Sequence, residues 1–214
     1  MPRYPAEPKP SCSRCPRLVA FRRKNERAFP DYFNGAAPSF GPEGARALIV
    51  GLAPGLHGAN KTGRVFTGDA SGEMLFSCLQ EAGLTTGQFE NDPKDGFDLD
   101  GIMITNAVRC VPPENKPTAA EAAKCRPFLE SRIRELPNLK ALFALGKIAH
   151  DATLRTLGLK LADYPFAHQA VHSLPNGLTL IDSYHCSRYN VNTRRLTREM
   201  FLAALADLKK AANL

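Results

Sequence analysis

The chain has 214 residues, 43% hydrophobic and 23% charged, and a formal net charge of +7. That length suits one globular domain over residues 1–214, and the positive surplus fits a polyanionic partner better than an acidic one. No apolar run approaches the ~20 residues that cross a bilayer, and MPRYPAEPKPSC lacks the apolar core of a secretory signal, so no membrane span and a cytoplasmic location are expected.

In chain order, residues 1–10 are proline-rich and polar and read as a flexible arm. Residues 15–29 read as a short basic helix with Leu18, Val19 and Phe21 on its apolar face. A loop rich in Gly and Pro follows to Gly44. The run ARALIV, residues 45–50, predicts a buried strand ending on Gly51. Residues 71–82 predict a helix stopped by Gly83, and 102–105 a short strand. Thr118 is placed to cap a helix reaching toward Leu136, with Glu121 at the capping-box position. Residues 139–145 form another buried strand, and Gly146 opens a helix to about Leu157. A last strand is expected at 178–181 and a closing amphipathic helix at 196–212. The alternation predicts an α/β fold with parallel strands between helices, and sites in such sheets lie beyond the carboxyl ends of the strands. No repeat, low-complexity tract or linker interrupts the pattern.

The strand ends carry the unusual residues. The first strand runs into GLAPGLHGANKTGRVFTGDASG, the second into Asn106 and AVRCVPP, the last into DSYHCSRYNVNTRRLT. Glycines at 51, 55, 58, 63, 68 and 72 permit close backbone approach to a flat or anionic ligand. The loop is not a P-loop, because Asn60 rather than glycine precedes Lys61–Thr62, and no GxGxxG follows the strand.

Six cysteines in a reducing compartment are better read as metal ligands or buried thiols than as disulfides. Cys12 and Cys15 form a CxxC, and Cys110 and Cys125 lie far along the chain. Four cysteines can hold tetrahedral zinc or an iron–sulfur cluster, and spacing alone does not choose. Cys78 and Cys186 read as small buried residues.

Together, GLAPGLHGANKTGRVFTGDASG, ITNAVRCVPP and HCSRYNVNTRRLT resemble the uracil-DNA glycosylase superfamily, specifically its family 5, over nearly the whole chain from Cys12 onward. The resemblance implies a three-layer α/β/α fold with a central four-stranded parallel sheet. It also implies a structural 4Fe–4S cluster on Cys12, Cys15, Cys110 and Cys125, as in the related family 4. The implied activity is hydrolysis of the bond between uracil, or another deaminated or damaged base, and the sugar of damaged DNA, by a monomer. Such an enzyme flips the nucleotide into a pocket and stabilises negative charge on the base and positive charge on the sugar.

On that resemblance His185 donates to the uracil oxygen that gains charge, Phe66 stacks on the base, and Asn106 reads the pyrimidine edge with its amide. Gly51, Leu52 and Ala53 help hold the base. Leu52 and Ala53 are apolar where many superfamily members carry a polar, water-positioning residue. Asp69 is then the nearest carboxylate, with two readings: it positions the water or stabilises the sugar cation, or it caps the helix that follows. His57 and Asn60 are candidates to touch the base or a phosphate. Ser187, Arg188, Tyr189 and Asn190 are expected on a loop that enters the minor groove, with Arg188 and Tyr189 filling the vacated stack and Arg194 and Arg195 neutralising phosphates. The competing reading is a metal-stapled DNA-binding module without catalysis.

Overall fold

The computed structural model describes residues 5–214. Four buried strands build the centre: β1 (Ala47–Gly51), β4 (Ile102–Asn106), β5 (Ala141–Leu145) and β7 (Thr179–Ser183). They run parallel in the order β4-β1-β5-β7. Short apolar runs such as ALIV and ALFAL are buried on both faces, as strands covered by helices on either side must be. The expected four-stranded parallel sheet forms, with one addition at its edge. A fifth strand, β6 (Val171–Ser173), pairs antiparallel with β7 at the edge. It has three residues, mostly exposed, so no apolar run announced it. A separate two-stranded ribbon, β2 (Thr85–Thr86) with β3 (Asp98–Leu99), stands apart.

One face of the sheet packs against α3 (Ala70–Glu81) and α7 (Arg198–Ala212), through Leu75, Leu79, Phe143 and Phe201. The other packs against α4 (Ala119–Glu135) and α5 (Lys147–Thr156), through Leu48, Leu129, Leu142 and Leu154. The capping box on α4 forms as the sequence predicts: the Glu121 amide donates to Thr118 Oγ1 at 3.2 Å, and the Thr118 amide donates to Glu121 Oε2 at 2.8 Å. Glu121 also pairs with Arg17 at 2.7 Å, fastening α1 (Pro16–Ala28) to α4.

The arm expected to be loose is not, from residue 5 onward. Ala6 is buried, and Glu7 accepts from Arg109 at 2.9 Å and from Arg132 at 2.7 Å. Two buried guanidiniums need a carboxylate in reach, and Glu7 supplies it. Residues 1–4 lie outside the described residues. Among the described residues no helix is long and apolar enough to cross a membrane.

Candidate active site

The carboxyl ends of β1, β4 and β7 open on one cavity of about 330 Å³. Leu52 and Ala53, directly after β1, line it with Pro54 and Gly55; Asn106 closes β4; His185 and Ser187 follow β7. Phe66, Asp69 and Ser71 enter from the glycine-rich segment, and Asn115 from the loop after β4.

Phe66 holds a left-handed backbone conformation (φ 56°) although it is bulky and almost fully buried. Such a conformation is costly for an aromatic residue and persists only where the surroundings impose it. Two glycines make the room. A Cβ on Gly51 would sit 2.5 Å from Asn106 Oδ1 and 2.8 Å from Phe66 Cζ, and one on Gly72 would overlap the Phe66 carbonyl. The Phe66 and His185 rings stand 6.2 Å apart at 31°.

Asn106 is 2% exposed, and its Oδ1 is buried without a hydrogen-bond partner. An orphaned acceptor costs about 1–3 kcal/mol, and Asn106 lines the cavity, so a donor brought to this amide would relieve that cost. Burial pushes the His185 imidazole below its ordinary value, and the charge of Asp69 pulls it part of the way back. A neutral ring keeps one N–H to donate and adds no fixed charge. The residue is held from behind, as Asn190 Nδ2 donates to the His185 carbonyl at 2.8 Å.

Asp69 caps the helix, the second of its two readings, and it also lines the cavity. Its Oδ1 accepts from the amides of Ser71 and Gly72 at 3.0 and 3.1 Å and caps α3. Its Oδ2 lies against Gly55 and Gly58, where a Cβ on Gly58 would overlap it. The same carboxylate therefore caps a helix and lines the cavity.

Several sequence expectations are corrected. Gly51 does not line the cavity; it clears space beneath Phe66 and Asn106. Asn60 is 1% exposed, and its Nδ2 donates to Asn34 Oδ1 at 3.0 Å, so it holds a turn and is unavailable to DNA. His57 is exposed but turned away from the cavity, against Phe29 and Tyr32. Asn190 faces inward to His185. The expected loop is a short helix, α6 (Arg188–Asn192), capped by Ser187. Tyr189 is 71% exposed at its start, and Arg188 and Arg194 are exposed. Arg195 stacks on Tyr184 at 4.7 Å.

Sequence reading missed a buried triad behind β7. Asp182 meets His150 Nδ1 at 2.7 Å and His172 Nε2 at 3.2 Å. Three residues before His185, it ties the strand end to α5 and β6. Residues far apart in sequence left no spacing signal.

Cys12, Cys15, Cys110 and Cys125 converge with Leu18, Val108 and Phe128 in an apolar cluster beside the cavity wall. Burial, then the neighbouring thiols, pushes Cys110 up to about 12; burial likewise raises Cys125 to about 11. The Arg109 amide points at Cys125 Sγ, 3.4 Å away. Cys78 and Cys186 are buried thiols; Cys186 donates to the Ser71 carbonyl.

Comparison with known proteins supplies independent findings. Residues 38–209 match the family model described as the uracil DNA glycosylase superfamily. The chain is 47% identical over 209 residues to a type-5 uracil-DNA glycosylase of Thermus thermophilus, covering 95% of each chain. It is 43% identical to a type-5 uracil-DNA glycosylase of Mycobacterium leprae, over 95% of this chain and 92% of that one. A type-4 uracil-DNA glycosylase of Pyrobaculum aerophilum is 30% identical over 69% of this chain.

Proposed function

Because the chain belongs to the uracil-DNA glycosylase superfamily, we propose that it hydrolyses the bond between uracil and deoxyribose in DNA, taking a flipped nucleotide into the cavity of Phe66, Asn106, Asp69 and His185. The observation that carries this reading is the buried, partnerless Oδ1 of Asn106 on the cavity wall. Uracil presents an N–H between two carbonyls, so an amide can accept from the N–H and donate to one oxygen. Phe66 supplies a ring face for the base.

As the bond breaks, the electron pair passes to the base and positive charge gathers on the sugar. The neutral His185 N–H donates to the uracil oxygen that becomes anionic. The Asp69 carboxylate faces the opposite charge, and its free oxygen orients the water that adds to the sugar. Leu52 and Ala53 add only apolar surface, so neighbouring deaminated bases are less strictly rejected than by a polar wall.

The four cysteines fit a 4Fe–4S cluster by donor chemistry. Among the described residues, the one group of three or more His, Cys, Asp or Glu whose ligand atoms all lie within 4.8 Å is His150, His172 and Asp182. Held by the four cysteines, the cluster would staple α1 and α4 to the segment that follows Asn106, a structural role.

The test is incubation with uracil-containing duplex followed by alkali, with hypoxanthine, xanthine and ethenocytosine substrates in parallel. Strand scission at uracil is expected. Tight binding without scission at any lesion would instead establish a DNA-binding module.

A further inference from the structure

His57 belongs to an aromatic surface outside the base cavity. Phe29 and Tyr32 stack with centroids 4.8 Å apart at 15°. His57 meets both rings edge-on, at 5.6 and 6.0 Å, and its Nδ1 lies 3.1 Å from the Tyr32 hydroxyl. Lys61 Nζ stands 5.8 Å over the Tyr32 ring. None of these residues is buried in the core, and Phe33 beside them is 38% exposed.

The cluster is held rigidly. Asn34 Nδ2 donates to the carbonyls of Phe29 and Tyr32 at 2.7 and 3.2 Å, while the amides of Phe33 and Asn34 donate to the carbonyls of Lys61 and Asn60, both at 3.0 Å. A partly exposed aromatic pair fixed this firmly is preorganised for a flat ligand.

Charge points the same way. Arg23 and Arg27, four residues apart, share a face of α1 next to Lys24, and all three are exposed. The acidic groups nearby are Asp31 and Glu26, and Glu26 lies 3.7 Å from Arg22. Aromatic faces beside exposed cations are the recognition elements of single-stranded nucleic acid, stacking the bases and neutralising the phosphates. The cluster and the base cavity share one loop: Gly55 lines the cavity two residues before His57, and its carbonyl accepts from the Asn60 amide at 3.2 Å.

We propose that Tyr32, Phe29, His57 and Lys61, with the basic face of α1, form a nucleotide platform for the DNA strand that carries the flipped base. A base takes the Tyr32 ring face while Lys61 swings from the ring to a phosphate. The identity of the strand rests on the uracil-excision reading; the platform's affinity for single-stranded DNA does not.

The test uses the intact protein and fluorescent oligothymidine strands of graded length, each holding one abasic analogue. Affinity is expected to step up as nucleotides are added on one side of the analogue, and then to level off. Tyr32→Leu should shrink that step about tenfold, whereas Tyr32→Phe keeps the ring and should retain it. Replacing Arg23, Lys24 and Arg27 with Gln on the exposed helix face should flatten the salt dependence by about two units of slope. An unchanged length step in Tyr32→Leu, or equal loss in Tyr32→Phe, overturns the platform. Intact length-dependent binding, together with no release of uracil from strands that carry uracil in place of the analogue, overturns the excision reading and leaves the platform standing.

Discussion

Asp69 and His185 face one cavity, and the charge of Asp69 raises the proton affinity of an imidazole that burial lowers. The carboxylate is meanwhile anchored by capping α3. Its position is therefore set by helix capping, and its charge is left for the cavity.

Asp69→Asn separates the two roles, because Asn caps a helix about as well as Asp. The variant is expected to fold normally and to lose about 100-fold in single-turnover excision. Asp69→Ala should lose the cap as well, at a further cost of about 1 kcal/mol in denaturant unfolding. Near-normal single-turnover excision by folded Asp69→Asn would remove Asp69 from the reaction.

His185 makes excision and stability depend on pH in the same direction. Its folded-state pKa lies below the unfolded value, so the unfolded chain takes up the proton first as pH falls. The contribution to stability is complete above the ordinary histidine range and declines as pH drops through and below about 6.5. Excision should hold at neutral and mildly alkaline pH and fall on the acid side. In His185→Gln, single-turnover rates across pH should show that acid limb flattened.

Asn106→Leu is expected to separate stability from function. Removing a buried acceptor that has no partner should hold or raise the midpoint of thermal unfolding, while excision is lost. Gly51→Ala should lose excision by another route, since the new Cβ presses on both Asn106 and Phe66. Thermal melts beside excision assays check both.

Arg64 and Asp95 make a buried pair at 2.8 Å, and the Arg64 guanidinium sits among the rings of Phe40, Phe76, Phe89 and Phe97. The guanidinium hydrogen bond holds the Asp95 carboxyl well below the usual carboxylate range. Asp95→Ala leaves a buried charge alone and should cost about 3–5 kcal/mol. Arg64 Nε also donates to Thr67 Oγ1 at 2.8 Å, next to Phe66, so excision should weaken together with stability.

If the four cysteines hold a 4Fe–4S cluster, purified protein should be brown and carry about four iron atoms per chain. Cys110→Ala should lose the colour and melt earlier. A colourless protein with one zinc per chain would overturn the cluster.

The sequence by itself determined the strand–helix alternation, the α4 capping box and the grouping of unusual residues at strand ends. Each of these is local: apolar runs, cap spacing and glycine clusters act within a few residues of one another. Tertiary structure alone decided that Asn106 keeps an orphaned acceptor, that Asn60 and Asn190 turn inward, and that Glu7 pairs with two buried arginines. It also decided that three mostly exposed residues become strand β6, and that His57 joins Phe29 and Tyr32 rather than the cavity. Those outcomes depend on which distant groups compete for each hydrogen bond and ring face, and only the assembled sheet and its loops bring the competitors together.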